Sequence, residues 1–365
     1  MGELKANYQL VIGSEKKILL DDETAPRPPY LRIIQNENGE QILTFVNPYN
    51  NAIYFYDYEK SAYSGRIIYA REGPNGILHA EGYYIKNMDS IYVYDRPRME
   101  VSLTDSSGFV KQRISLNNRS VDRMWGYYYP QYFVSAVNPL IEYQGKMIMT
   151  GCAPSSVADS LIRKFRFTCC IDFKNGSTEF IHTYPEELYG SNFNWKDIFL
   201  TGVFREISPN GEWLYSFPVS HDIYITHPND ATYKTVYAGS NVAGTIQSID
   251  WKGRTPNDII HTHILQQDLY GAILYDSYRN VYYRFMLQGI PHATLENRIS
   301  DKLVVVVLMD EQFNYLGETI LGTGEEWNCE NSFVTSEGLM IEYIDLSMNS
   351  EEEYLIFKTL LIEKK

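Results

Sequence analysis

The sequence predicts an all-β fold built from repeated four-stranded antiparallel units, on three observations. Aromatic residues make up 14% of the 365 residues and tyrosine alone numbers 31, and such side chains favour strands over helices. Short runs of alternating apolar and polar residues recur along the chain with turn residues between them. Hardly any stretch carries an apolar stripe at helical spacing. With 44% apolar and 21% charged residues, disorder, a collagen and a disulfide miniprotein are excluded.

The runs fall into sets of four. The first set is 30–35, 41–47, 52–58 and 66–70, with Asn36-Glu37-Asn38-Gly39 as a hairpin turn. The second is 81–86, 90–94, 99–104 and 110–116, with Asp105-Ser106-Ser107-Gly108 turning its last hairpin. A third set occupies 132–136, 146–151, 165–171 and 177–182. The fourth is 204–207, 213–217, 223–227 and 233–238, and the fifth 271–275, 281–287, 303–309 and 317–321. The last quarter supplies only three runs, 332–335, 339–344 and 354–362. A fourth is found at the other end of the chain, at 15–20.

Local similarities support this register. An aspartate follows the third run of four sets, at Asp57, Asp105, Asp172 and Asp310. A glycine-bearing loop follows the fourth run at Gly73 and Gly76, at Gly239, and at Gly322 and Gly324. Four-stranded units repeated in this way, with one unit built from both chain ends, describe a six-bladed β-propeller whose ring is closed by pairing of the N-terminal strand with the C-terminal blade. Seven shorter blades are the alternative. The period of about 60 residues exceeds the 40–50 typical of a blade. The surplus is placed in inserted loops at 151–164, 185–202, 240–269 and 289–302. The whole chain, 1–365, reads as a single domain, with 1–14 as a flexible lead-in to the closing strand.

The runs Ile53-Tyr54-Phe55-Tyr56-Asp57, Arg71-Glu72-Gly73-Pro74-Asn75-Gly76-Ile77 and Asn87-Met88-Asp89-Ser90-Ile91-Tyr92-Val93 resemble the Bacteroidetes six-bladed, TolB-like propellers. Among these the chain is most similar to the domain-of-unknown-function 4221 family, over essentially its whole length. Members of that family usually carry a lipoprotein signal ending in a lipidated cysteine. The resemblance therefore implies a lipid-anchored envelope protein, in the periplasm or at the outer membrane, whose leader is missing from this chain. It brings no catalytic residues, because the family has no assigned activity.

The charge of −14, from 32 Lys+Arg against 46 Asp+Glu, argues against nucleic acid or an anionic membrane surface as partner. Cys152, Cys169, Cys170 and Cys329 have neither zinc-finger nor Cys-x-x-Cys spacing, so no disulfide framework, metal or other cofactor is expected. No apolar run approaches the roughly 20 residues that span a bilayer. The start, Met1-Gly2-Glu3-Leu4-Lys5-Ala6, has no signal-peptide core, so the chain as it stands reads as soluble, and as a monomer.

In a propeller the loops between second and third strands, and those between blades, open on one face around the central channel, where function usually sits. That face should receive Tyr49, Arg96, Arg98, His221 and His292 from the former loops. Arg71, Glu72, Arg123, Trp125, Tyr127, Tyr128, Trp195 and Trp327 come from the latter. Aromatic area with Arg and Glu for direction suits a protein, a peptide or a glycan, so a non-catalytic binding or scaffold role leads. The alternative is a hydrolase or lyase acting on a saccharide in the channel, with His221, His292, Glu72 and Arg205 as candidate acids and bases. His261 and His263, if extended, would project on one side as metal ligands require, yet two ligands do not make a site. Ser155 and Ser156 stand in a loop with no nucleophile elbow.

Overall fold

The computed structural model describes residues 4–122, 124–154, 159–190, 193–251, 253–347 and 353–365; the sequence candidates Arg123, Ser155 and Ser156 lie outside them. Turn chemistry shapes the sheets first. The repeated aspartates cap the outer hairpins through backbone amides: Asp57 Oδ1 accepts from Lys60 N at 2.9 Å, Asp172 Oδ1 from Asn175 N at 3.0 Å and Asp310 Oδ1 from Asn314 N at 2.8 Å. Asp105 Oδ1 accepts from Ser107 N at 2.9 Å and Phe109 N at 3.2 Å. Hydrogen bonds from Lys60, from Ser107 and from the Asn175 amide hold Asp57, Asp105 and Asp172 below the usual carboxylate range.

The strands these turns connect begin with β1 (Tyr8–Leu19). Four antiparallel four-stranded sheets follow. The first comprises β2 (Leu31–Gln35), β3 (Gln41–Asn47), β4 (Ala52–Asp57) and β5 (Ala62–Ile68), and the second β6 (Ala80–Asn87), β7 (Ser90–Asp95), β8 (Glu100–Thr104) and β9 (Val110–Ser115). The third comprises β10 (Ile141–Tyr143), β11 (Lys146–Thr150), β12 (Arg166–Asp172) and β13 (Ser177–Thr183), and the fourth β14 (Phe204–Ile207), β15 (Trp213–Ser216), β16 (Asp222–Thr226) and β17 (Lys234–Tyr237). Four short helices, α1 (Asp159–Ile162), α2 (Glu186–Tyr189), α3 (Ile198–Thr201) and α4 (Asn257–Gln266), lie in the connections.

The remaining strands are β18 (Leu269–Asp276), β19 (Val281–Leu287), β20 (Leu303–Asp310), β21 (Tyr315–Thr323), β22 (Trp327–Val334), β23 (Leu339–Tyr343) and β24 (Tyr354–Lys364). With β1 they form an eight-stranded sheet in the order β18-β19-β20-β21-β1-β24-β23-β22. It is two antiparallel four-stranded units joined at their outer strands. β1 runs antiparallel to β24, from Tyr8 opposite Lys364 to Leu19 opposite Tyr354, and touches β21 in parallel at Tyr8 and Gly317. A Cβ on Gly317 would stand 1.9 Å from Tyr8 O, so glycine is required for that approach. β3 packs on β6, β14 on β18, β18 on β22 and β22 on β2, an all-β arrangement consistent with a propeller.

Four local expectations differ. The stretch 132–136 is no strand; Pro130 and Pro139 lack amide donors, and between them Asn138 N turns back to Ser135 O at 3.3 Å, so the third sheet starts at β10. β1 begins at Tyr8, inside the stretch read as lead-in. β22 begins at Trp327, five residues ahead of the run seen in the sequence. Within the insertion at 240–269, α4 opens at Pro256 and buries Ile264 and Leu265, placing His261 and His263 on a helix and not on a strand.

Tyrosines fill the wedges between sheets, and several reach a polar partner with the hydroxyl, whereas those of Tyr56, Tyr58 and Tyr132 have none. Tyr30 Oη donates to Tyr83 O at 2.7 Å and Tyr83 Oη to Thr44 Oγ1 at 2.6 Å, tying the first sheet to the second. Tyr215 Oη lies 2.9 Å from Thr168 Oγ1 and 2.8 Å from His182 Nδ1, tying the fourth to the third.

Arg284 on β19 does the same for the fourth and fifth units with a charge. Its side chain is fully buried. Nε donates to Ser216 Oγ at 3.1 Å, Nη1 to His221 O at 2.6 Å and Ala238 O at 3.1 Å, and Nη2 to Ser220 O at 2.8 Å and Asp222 O at 3.3 Å. The guanidinium also lies 4.0 Å over the Tyr270 ring. Burial lowers its pKa to about 10, which leaves it charged at neutral pH.

Replacing Arg284 by methionine should remove at least about 3 kcal/mol of stability, because buried carbonyls lose their donors. Lysine should not restore it, since an ammonium cannot reproduce the planar fork. Urea unfolding of R284M and R284K checks both. Acid should also loosen the outer turns: the folded pKa values of Asp57, Asp105 and Asp172 lie below their unfolded 3.8, so their stabilisation is present above pH 3.8 and is lost as pH falls through the lower folded values. In D105N that part of the acid loss should be smaller than in the parent, measured by unfolding between pH 2 and 5.

Candidate functional site

The first residues of β14, β18 and β22, strands that pack on one another in that order, border one cavity, and a second adjoins it. The larger, about 390 Å³, is lined by Phe199, Phe204, Leu269, Ala272, Phe285, Met286, Trp327, Asn328, Cys329 and Glu330 among others. The second, about 240 Å³, is lined by Gln131, Phe133, Ser135, Asn138, Thr150, Cys152, Val203 and, again, Phe199, Phe204 and Glu330. Their loop residues come from connections between sheets, 131–138, 198–203 and Gly324, and from second-to-third-strand loops at Pro218, Ile299 and Ser300. These are the two loop classes expected to share a face. A volume of this size, with apolar walls and a few polar groups, is what small-ligand sites present.

Among the described residues Glu330 is the only charged one lining either cavity. It stands on an irregularity of β22, whose register against β23 shifts between Asn328 and Ser332; such bulges re-aim side chains. The bulge is held from behind by Glu342, whose Oε2 accepts from Asn328 Nδ2 at 2.6 Å and Asn331 Nδ2 at 2.7 Å. Asn331 Nδ2 also reaches Pro28 O at 2.8 Å. Glu330 is exposed, among the described residues nothing bonds to its carboxylate, and the protein crowded around it raises its pKa. The neighbouring Cys329 thiol is pushed up by burial and then by the Glu330 charge; a thiol held protonated is a poor nucleophile.

In the second cavity, Asn138 is 6% exposed. Its Nδ2 donates to Thr150 O and Val203 O, each at 3.3 Å, while its Oδ1 has no partner. The Arg96 guanidinium lies over the Phe133 ring at 4.4 Å and pairs with Glu81 at 3.6 Å.

Of the residues chosen from the sequence, Trp327 lines the larger cavity, packed edge-on to Tyr343 at 5.1 Å, and Arg96 reaches the second through Phe133. The others are distributed elsewhere. Arg71 and Arg98 brace loops, Arg71 Nη1 donating to Leu78 O at 2.7 Å and Arg98 pairing with Asp95 at 3.7 Å. Trp195 is buried, its Nε1 donating to Leu188 O at 2.7 Å. Trp125 and Tyr127 are half-buried on a 3-10 turn. Tyr49, Glu72, Tyr128 and His292 are exposed. His221 Nδ1 lies 2.9 Å from Tyr270 Oη, and burial followed by the Arg284 charge lowers its pKa. Arg205 is buried with Nη2 on Pro139 O at 2.9 Å. None of the four acid and base candidates, His221, His292, Glu72 and Arg205, lines either cavity. His261 and His263, two apart on α4, bind separate carbonyls, Asn297 O at 3.2 Å and Gln247 O at 2.7 Å.

Fold and cavities together define a propeller-like all-β protein with an apolar pocket at its loop face. The chain belongs to the family described as Domain of unknown function (DUF4221), whose model matches residues 7–320. A member of that family from Bacteroides vulgatus ATCC 8482 has a similar solved structure, with TM-score 0.79 and 19% identity over 99% of this chain and 100% of that one. A candidate exported protein from Bacteroides fragilis NCTC 9343 is similar at TM-score 0.55 and 10% identity, over 98% of this chain and 95% of that one. No curated protein matches the chain. Among the described residues no helix is long and apolar enough to cross a membrane.

The raised pKa of Glu330 fixes the sign of a stability test. A carboxyl whose folded pKa lies above its unfolded 4.5 destabilises the fold once ionised, so the penalty is absent below pH 4.5 and grows as pH rises through the folded value. E330Q should therefore be more stable than the parent at pH 7.5 and indistinguishable from it at pH 4. Urea midpoints at the two pH values read this directly.

Proposed function

We propose that the chain is a six-bladed propeller, its ring closed by β1 as the outer strand of the last blade, and that it acts as a non-catalytic binding module of the bacterial cell envelope. Its ligand enters the apolar mouth of the central channel, formed by the two cavities. The six-blade reading is supported by the repeated four-stranded units, by the succession of leading-strand contacts and by the pairing of β1 with β24. The envelope placement draws on the likeness to the candidate exported protein.

One observation carries the binding reading: two adjoining cavities, walled in part by Phe199 and Phe204, share the carboxylate of Glu330. That pattern suits a ligand held by its apolar body and oriented by one polar contact. Of the protein, peptide and glycan partners the rim suggested, apolar walls favour a compact apolar group over a glycan, whose hydroxyls would find few partners.

The neutral apolar dye N-phenyl-1-naphthylamine should bind with a rise in fluorescence. Phe199 is 52% exposed and borders both cavities, so F199A should weaken binding by about fivefold or more without lowering the melting temperature. A dye that ignores this substitution, or never binds, would count against the site.

A further inference from the structure

We propose that the site takes an extended peptide segment, with one bulky apolar side chain seated in the larger cavity and the adjoining backbone laid in the cleft between α3 and α4. This rests on the cavities being the ligand site and states which class of partner fills them.

The cleft has a volume of about 490 Å³. One face of α4 lines it, through Asn257, Ile260, His261 and Ile264 at the i, i+3, i+4, i+7 spacing of a helix face. Lys196 and Asp197, just ahead of α3, line it as well. Phe199 and Ile299 border both the cleft and the larger cavity, so the two hollows meet at these side chains. Phe199 also borders the second cavity and is 52% exposed.

Phe199 is held where it stands. Asp197 Oδ1 accepts from Phe199 N at 2.9 Å, Thr201 Oγ1 donates to Ala153 O at 2.8 Å and Tyr189 Oη donates to Leu200 O at 2.8 Å. Leu200 and Thr201 are buried, so α3 is pinned by its inner side while its outer side presents a ring where the cleft and both cavities meet. An aromatic ring fixed before its partner arrives lowers the ordering cost of binding, and such rings serve as anchors at protein interfaces.

The polar groups of the cleft decide the partner. Among the described residues no hydrogen bond or ion pair engages the Lys196 ammonium, the Asn257 side chain or Asp197 Oδ2. His261 Nε2 donates to Asn297 O at 3.2 Å, which leaves Nδ1 of the neutral ring to accept. The cleft thus offers donors and acceptors together, beside a cavity with apolar walls. A backbone brings one N–H and one C=O per residue and carries an apolar side chain on the same chain, the combination by which grooves with side-chain pockets recognise peptides. A lipid chain brings nothing for the polar cleft, and a glycan nothing for the cavity. The net charge of −14 disfavours an acidic segment.

Three probes titrated calorimetrically into the full chain at pH 7 separate anchor from backbone. They are N-acetylphenylalanine amide, a blocked heptapeptide with a central phenylalanine flanked by alternating serine and alanine, and the same heptapeptide N-methylated at its flanking residues. The heptapeptide should bind at least about tenfold tighter than the anchor alone, the worth of two or three net hydrogen bonds, and the N-methylated form no tighter than the anchor. K196A/N257A alters two exposed residues; it should keep the melting temperature, bring the heptapeptide to within about threefold of the anchor and leave N-phenyl-1-naphthylamine within about twofold of its parent affinity. If the dye binds but the heptapeptide has no advantage, or keeps its advantage when N-methylated or in K196A/N257A, or cellopentaose binds more tightly than the heptapeptide, the peptide assignment is wrong and the cavity site stands. If neither the dye nor any probe binds, the site reading falls and the assignment with it.

Discussion

Arg284 is the contact on which the loop face depends. Its guanidinium gathers the carbonyls of Ser220, His221 and Asp222 from the corner between β15 and β16, and Ala238 from the end of β17. That corner carries Pro218, and the ring stacked against Arg284 belongs to Tyr270; both line the larger cavity. Carbonyl groups at a chain reversal need donors once they are buried. One side chain with five N–H groups provides them where water cannot enter. The pocket wall is thus an outcome of satisfying backbone polarity between two sheets.

The same accounting explains the tyrosine content. Adjacent sheets meet at an angle, and a long flat ring fills the gap with its hydroxyl at the edge, where a carbonyl or threonine lies within reach. Tyr184 shows both roles: its ring packs against Phe167 and Tyr189, and its hydroxyl donates to Thr201 O at 2.6 Å while accepting from Ala153 N at 2.9 Å. Phenylalanine would fill the same space and leave those groups unpaired. The cavities mark where this filling stops: their walls present mainly apolar surface, from Phe133, Phe199, Phe204, Phe285 and Trp327 among others, and Tyr270, the one tyrosine among the described lining residues, spends its hydroxyl on His221 and Ser240.

Repetition made the sheets legible in the sequence, because the spacing of alternating runs and the capping aspartates follow local rules that each unit obeys. The departures occur where a local rule is overridden. Residues 132–136 read as a strand, yet Pro130, Pro139 and a turn between Ser135 and Asn138 leave the stretch as cavity wall. α4 carries Ile260 and Ile264 four apart, a helical signal too short to stand out among β patterns. The two loop classes singled out from topology supply part of the lining of the two cavities. Which residues matter there was not readable. Rim aromatics and arginines attract attention, and the structure spends Arg71, Arg98 and Trp195 on bracing loops. Glu330 escaped notice because it sits on a bulge, where period-two alternation gives no direction for a side chain.

The bulge also separates a structural acid from a functional one. Glu342 and Glu330 both have raised pKa values from loss of water. Glu342 is repaid by two amide donors that pin the bulge in place; Glu330, two residues from each of those asparagines or nearer, receives none. Removing Glu342 should therefore loosen β22, whereas removing the Glu330 charge should relieve it. The distinction turns on where the compensating donors come from: for the buried Glu342 they are in the fold, and for the exposed Glu330 they come from outside the chain.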